Sequence, residues 1–227
     1  MNLYLWIILA ILALPLVLSF DKKVAYVRKW PTVLAATAIV AAVFIPWDIL
    51  KTAAGVWGFN KRYVGEFAFY GLPAGELLFF LVVPFACIFI YEVVRAYFRE
   101  RTMRVSRVVW LVAAAALVVL GLVFRHQTYT LTVLLSVAAV LLLAALWQPE
   151  MLGSFHFWLA IALSYIPFLI FNGILTSVPL VVYNDAEIWG GRVYTIPVED
   201  FFYSFSLLGL AILVYRPLRR LWVRERA

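Results

Sequence analysis

PWDILKTAAGVWGFNKRYVGEFAFYGLPAGELLFF, residues 46–80, is followed 124 positions later by IFNGILTSVPLVVYNDAEIWGGRVYTIPVEDFFYS, residues 170–204. The two stretches are copies of one pattern. Asp48 aligns with Asn172, Phe59-Asn60 with Tyr183-Asn184, Pro73 with Pro197 and Glu76 with Asp200; further along, Tyr91 aligns with Tyr215. Apolar helices resemble one another by composition alone, but polar and turn-forming residues that agree at one fixed offset mark a duplication. Polar groups inside membrane segments are functional candidates by default.

The rest of the chain sets these copies in a bilayer. Hydrophobic residues make up 66% of the 227 positions and charged residues 14%, and mean hydropathy is +0.99. This composition excludes a soluble domain around a single core. Apolar runs long enough to cross roughly 30 Å of hydrocarbon predict an all-α polytopic membrane protein of about seven transmembrane helices, near residues 3–20, 32–49, 72–97, 108–124, 128–147, 155–178 and 201–215. The first run has no basic residue before it and no small-residue cleavage site, so it reads as a spanning helix and not a secretory signal. Helices one to three and five to seven form the copies and the fourth joins them. Because four helices separate equivalent positions, the arrangement is a parallel 3+1+3 internal repeat about an axis near the membrane normal. The expected division is residues 1–100 for the first repeat, 101–127 for a linker with the fourth helix to about 124, and 128–227 for the second repeat and a basic tail.

The net charge of +7 follows topology and gives no reason to expect nucleic acid. Most basic residues follow odd-numbered helices: Lys22, Lys23, Arg28 and Lys29 after the first, Arg95, Arg99, Arg101, Arg104 and Arg107 after the third, Arg216, Arg219, Arg220, Arg224 and Arg226 after the last. The positive-inside rule then places the protein in the cell (inner) membrane with its N-terminus outside and its C-terminus cytoplasmic, the basic clusters acting as anchors. Cys87 is the lone cysteine, so neither a disulfide framework nor a cysteine metal site is expected. His126 and His156 lie near helix ends without partner ligands, and no Gly-rich dinucleotide fingerprint occurs. No metal and no cofactor are predicted.

The informative loops, about residues 51–71 and 179–196, share the predicted outer face. They are long for a compact domain and rich in Trp and Tyr, a composition that also suits an interfacial belt. Each third helix of a copy opens with proline and then a carboxylate, Pro73 and Glu76 or Pro197, Glu199 and Asp200. Proline is tolerated in a first turn, and one acid there complements the helix dipole. The dipole does not account for two adjacent acids. Asp48 and Asn172 close the preceding helices, each after an aromatic residue, and aromatic residues follow the acids. Carboxyls and amides ringed by aromatic faces suit the making and quenching of carbocations. A carboxylic acid enclosed by apolar walls keeps a proton to donate, aromatic faces stabilise a desolvated cation by roughly 0.5–2 kcal/mol each, and a dry pocket keeps water from trapping it.

At these residues the chain resembles the membrane-integral lycopene cyclases, which occur as two small subunits or as one fused polypeptide. The stretches that carry the resemblance are PWDILKTAAGVWGFN (46–60), GLPAGELLFFLVVPFACIFIYE (71–92), FNGILTS (171–177) and YNDAEIWGGRVYTIPVEDFFYSF (183–205). They span both halves, so the chain is similar to the fused form. The family usually has two acids after the proline of each copy; here Gly75 stands at the first of them in copy one. The resemblance implies a lycopene beta-cyclase that closes beta-ionone rings on linear lycopene without net redox change and without flavin. On that reading Glu76, Glu199 and Asp200 supply acid and base, Asp48, Asn172 and Asn184 orient them, and Trp47, Trp57, Phe79, Phe80, Phe202 and Tyr203 contact the substrate. The expected partners are lycopene or a related linear carotenoid and the bilayer, with oligomeric state open.

The 3+1+3 plan is shared by small solute transporters, and Pro15, Pro84 and Pro167 within helices keep that alternative open. Its polar residues should lie along a path near the midplane, whereas these gather toward one end. A retinal protein would need a lysine in its last helix, and none follows Lys61. A prenyltransferase would need spaced aspartate motifs, which the adjacent Glu199-Asp200 does not supply.

Overall fold

A computed structural model describes residues 2–224. Its seven long helices are α1 (Leu3–Leu18), α2 (Trp30–Ala53), α3 (Ala74–Tyr97), α4 (Arg107–Val123), α5 (Thr128–Trp147), α6 (Phe155–Ser177) and α7 (Val198–Arg224). Local signals start them. The Asn2 side chain accepts from Leu5 N–H at 3.1 Å, Ser106 Oγ from Val108 N–H and Ser154 Oγ from Phe157 N–H, both at 3.3 Å, each satisfying a donor that a helix leaves free at its first turn. Pro31 lies in the first turn of α2, and α3 and α7 each follow a proline. Among the described residues, α2, α3, α5, α6 and α7 are long and apolar enough to cross a membrane; α1 and α4 are shorter apolar helices of 16 and 17 residues. The protein is an all-α polytopic membrane protein.

The connections reproduce the 124-residue offset strand by strand. In the first copy they form β1 (Trp57–Phe59), β2 (Ala68–Phe69) and β3 (Leu72–Pro73), and in the second β4 (Val181–Tyr183), β5 (Arg192–Val193) and β6 (Ile196–Pro197). Strands β2 and β3 pair with each other, as do β5 and β6, while β1 pairs antiparallel with β4 across the copies. In that ladder Gly58 faces Val182, its own equivalent, so the axis relating the copies passes between them. Tyr70 and Tyr194, also equivalent, both adopt left-handed backbone at φ 47° and 58°, a conformation that costs a non-glycine residue free energy. Both rings are highly exposed at the hairpin tips, as an interfacial aromatic belt requires.

Helices α3 and α7 form the centre. Helix α3 packs on α1, α2, α6 and α7, and α7 also packs on α2 and α5, while α4 lies outside against α5. A side chain on Gly209 would bring its Cβ within 2.8 Å of Val140, so glycine there permits the close approach of α7 to α5. The two copies are not packed alike: α2 runs closely along α3, whereas α6 meets α7 over much less of its length. That looser corner, bounded by α1, α3, α6 and α7, holds a cavity.

Candidate active site

The cavity has a volume of about 290 Å³. Its long walls are apolar, from Ile11 and Leu14 on α1, Phe79, Val83 and Ile90 on α3, Phe168 and Phe171 on α6, and Leu207 on α7. Its carboxyls and its amide gather where α3 and α7 begin, beneath the β1–β4 ladder, while Cys87, Ser164 and Ser204 line it further along. Asp48, Glu76, Asn172 and Asp200 line that end together with Tyr4, Trp57, Tyr129, Tyr183 and Tyr203. Among the described residues, no lysine, arginine or histidine lines the cavity. The three carboxyls are buried, so their partners decide what they can do.

Asp200 is met by three donors. Tyr129 donates its hydroxyl to Oδ1 at 2.7 Å, and Asn172 Nδ2 and the Tyr183 hydroxyl donate to Oδ2, each at 2.8 Å. Burial, with the nearby Asp200 charge, pushes the Tyr183 hydroxyl well above the ordinary tyrosine range, which keeps it a donor. Glu76 is met differently. Tyr4 donates its hydroxyl to Oε2, and Asp48, the counterpart of Asn172, lies close enough to interact directly. Asp48 accepts from Trp57 Nε1 at 2.8 Å through Oδ1, and its buried Oδ2 has no hydrogen-bond partner among the described residues. Where copy two has an amide and Tyr183, copy one has a second carboxyl and Phe59. The copies have diverged in the groups that determine proton chemistry.

The site residues expected from sequence separate into two groups. Asp48, Glu76, Asn172, Asp200, Trp57, Phe79 and Tyr203 line the cavity. Glu199, Asn184, Trp47, Phe80 and Phe202 do not. Glu199 Oε1 accepts from Thr130 Oγ1 and from Trp189 N–H, both at 2.6 Å, so it ties α7 to α5 and to the loop. Asn184 is exposed and orients no carboxyl; its Nδ2 donates to Gly55 O at 3.3 Å and its Oδ1 accepts from Ala186 N–H at 3.1 Å. Trp47 stands behind Tyr203, with centroids 5.2 Å apart, and Phe80 is packed behind the wall against Phe44 at 6.3 Å. Phe202 is partly buried against the apolar core. Asp48 and Asn172 also lie inside their helices, α2 continuing to Ala53 and α6 to Ser177, and do not close them.

Tyr4 and Tyr129 were not foreseen. Each stands in the first turns of the helix that opens its copy and donates to that copy's inward acid. They are one position out of step with the 124-residue offset, because α1 and α5 sit one residue apart in register, and a fixed-offset alignment pairs Tyr4 with Thr128. Gly75, where the resemblance leads one to expect an acid, has a packing reason. A Cβ there would lie 2.5 Å from Cγ of Tyr4, so the missing side chain makes room for the ring whose hydroxyl reaches Glu76.

A sequence model of the family described as Lycopene cyclase matches residues 1–94 and 126–218, which carry both copies and leave out the whole of α4. No curated protein and no solved structure matches the chain.

Proposed function

The chain belongs to the lycopene cyclase family, and from that premise we propose that it is a lycopene beta-cyclase, cyclising the ends of the linear polyene at the Asp48–Glu76–Asp200 cluster. The observation that carries this reading is the convergence of three buried carboxyls, with no cation among the described residues, at one end of a mainly aromatic and aliphatic cavity. A solute transporter needs strongly polar groups along its path; here the carboxyls and the amide stand at one end, and the remaining wall adds only Cys87, Ser164 and Ser204.

Two adjacent carboxyls without a cation cannot both ionise side by side, so the Asp48–Glu76 pair retains a proton and is the acid. Asp200, addressed only by donors, is arranged as an acceptor and is the base. The acid protonates the terminal double bond and leaves a tertiary cation. The π electrons of an internal double bond then form the ring bond and carry the charge into the ring. Asp200 takes a ring proton, and the electrons of that C–H bond become the ring double bond. One proton enters and one leaves, so substrate and product are isomers and no electron acceptor is consumed. Trp57, Phe79 and Tyr203 line the cavity, and an aromatic face turned to the cation supplies roughly 0.5–2 kcal/mol. Glu199 acts through position, holding the loop and α5 against the start of α7.

The cavity also fits a substrate delivered by lipid. Ala10 and Leu14 of α1 line it and are exposed at the surface of the bundle, so its mouth faces the bilayer. From Glu76 to Ile90, α3 advances about 21 Å, which is shorter than an extended carotenoid. One end of the polyene therefore enters while the remainder stays among the acyl chains. On the charge bias, this polar end lies on the outer side of the cell membrane. The repeat division at about residues 100 and 128 belongs to the same reading.

Expression in lycopene-accumulating cells, followed by pigment analysis, tests the proposal. Carotenes bearing beta rings are expected. Unchanged lycopene beside well-expressed, membrane-inserted protein would overturn it, and rings of the epsilon type would overturn the assignment of the proton that Asp200 removes.

A further inference from the structure

A second recess, of about 450 Å³, lies at the opposite end of the bundle. Arg95 at the end of α3 and Arg216, Arg219 and Arg220 at the end of α7 form one side; Glu100, Glu150 and His156 stand among the groups facing them. Along α3, Glu76 and Arg95 are about 28 Å apart, so this recess sits at headgroup depth on the basic side of the membrane.

Its charges are unevenly matched. Arg95 is committed to the buried Glu92 at 2.5 Å, which also accepts from Lys29 at 2.5 Å and from the Tyr215 hydroxyl at 3.1 Å. Glu100 is engaged by His156 Nδ1 at 2.9 Å and Ser154 Oγ at 2.8 Å. That leaves Glu150 to serve both Arg220, at 3.0 Å, and Arg216, at 3.5 Å. Among the described residues, Arg219 has no acidic partner and Arg216 Nη1 is buried with no hydrogen-bond partner. An arginine that only marks topology extends its head into water or headgroups. The Arg216 side chain is instead 13% exposed, turned into the recess with unused donors.

We propose that this recess binds the phosphodiester headgroup of an anionic phospholipid from the adjacent leaflet, with Arg216 and Arg219 as direct donors and Arg220 at the rim. The planar guanidinium fork matches phosphate oxygens, and basic pockets between membrane helices on the cytoplasmic side select such headgroups. A free phosphate offers the same chemistry, but the position of the recess at headgroup depth favours lipid.

The test uses the full chain in nanodiscs of phosphatidylcholine with graded phosphatidylglycerol, following the thermal denaturation midpoint. Wild-type protein should show a saturable rise of about 5 °C, the scale that mass action gives for a well-occupied site. The R219Q/R220Q variant should lose more than half of it, and a control variant, R99Q/R104Q, altered at exposed arginines outside the recess, should keep it. Inorganic phosphate added to phosphatidylcholine discs should give no rise. No saturable rise, an equal rise in R219Q/R220Q, or an equal loss in the control would overturn the site. A rise with inorganic phosphate matching that with phosphatidylglycerol would overturn the lipid assignment in favour of a soluble anion.

Discussion

Tyr4 and Gly75 share one space: the ring of the first stands where the side chain of the second would be, with an added Cβ only 2.5 Å from Tyr4 Cγ. Restoring an acid at position 75 therefore does not improve the site. Gly75→Glu should displace Tyr4 from Glu76 and overpack the α1–α3 contact, at about 1–3 kcal/mol. Thermal denaturation in detergent and pigment yield should both fall. The double variant Gly75→Glu with Tyr4→Ala should regain part of the lost stability, because the collision is gone, but not the activity that depends on the hydroxyl.

The division of labour among the acids predicts different losses. Glu76→Gln and Asp200→Asn should each lower cyclisation by about 10²–10⁴-fold, the usual scale for removing a general acid or base, with membrane insertion unchanged. Glu199→Gln keeps a side chain able to hold the loop and should lower turnover far less than Asp200→Asn. Near-normal product from Asp200→Asn, measured as pigment per folded protein, would remove it from the chemistry.

The hydroxyl donors permit a finer test. Tyr129→Phe leaves Asp200 with Asn172 and Tyr183, whereas Tyr4→Phe leaves Glu76 without its only hydroxyl donor among the described residues. Each should shift the pH dependence of turnover while preserving the ring packing. A variant that loses rate with an unmoved pH profile would point to packing alone.

Much of this was legible in the sequence, and the remainder was hidden for physical reasons. Hydropathy located seven helices because a bilayer demands long apolar runs. It ended the second at 49 because Lys51 and Thr52 lower the average, although α2 winds on to Ala53 and carries Asp48 inside it. The repeat pointed to Glu76 and Asp200 as equivalents. It could not say which of Glu199 and Asp200 turns inward, since neighbours on a helix point roughly 100° apart and only packing fixes the rotation. Asn184 illustrates another limit: it matches Asn60 at the offset, yet both side chains serve local turns, accepting from Ala186 N–H and Arg62 N–H. A repeated polar residue in a loop records a repeated backbone shape as readily as a repeated reaction.

At the far end of the bundle, buried Glu92 binds two cations and Tyr215. Breaking a buried ion pair from one side leaves charge uncompensated and costs about 3–5 kcal/mol. Glu92→Gln should therefore lower the denaturation midpoint strongly while leaving the identity of any cyclic product unchanged. A midpoint within a degree of wild type would mean that Lys29 and Arg95 find other partners.

The mouth of the cavity gives the sharpest separation between access and chemistry. Ala10 lines the opening between α1 and the α6 side, whereas Leu9, its neighbour, is exposed but lies outside the cavity. Ala10→Trp places an indole across the opening without touching a carboxyl, and Leu9→Trp places the same side chain on the lipid-facing surface. Ala10→Trp should reduce cyclisation at least about tenfold, since small misplacements of a reacting end carry penalties of that order, and Leu9→Trp should leave it near wild type. If the polyene enters end-on, a short synthetic substrate carrying only the terminal double bonds should be less affected by Ala10→Trp than full-length lycopene. Equal losses for both substrates would place the block at the reacting end, and equal losses for both variants would place the entrance elsewhere.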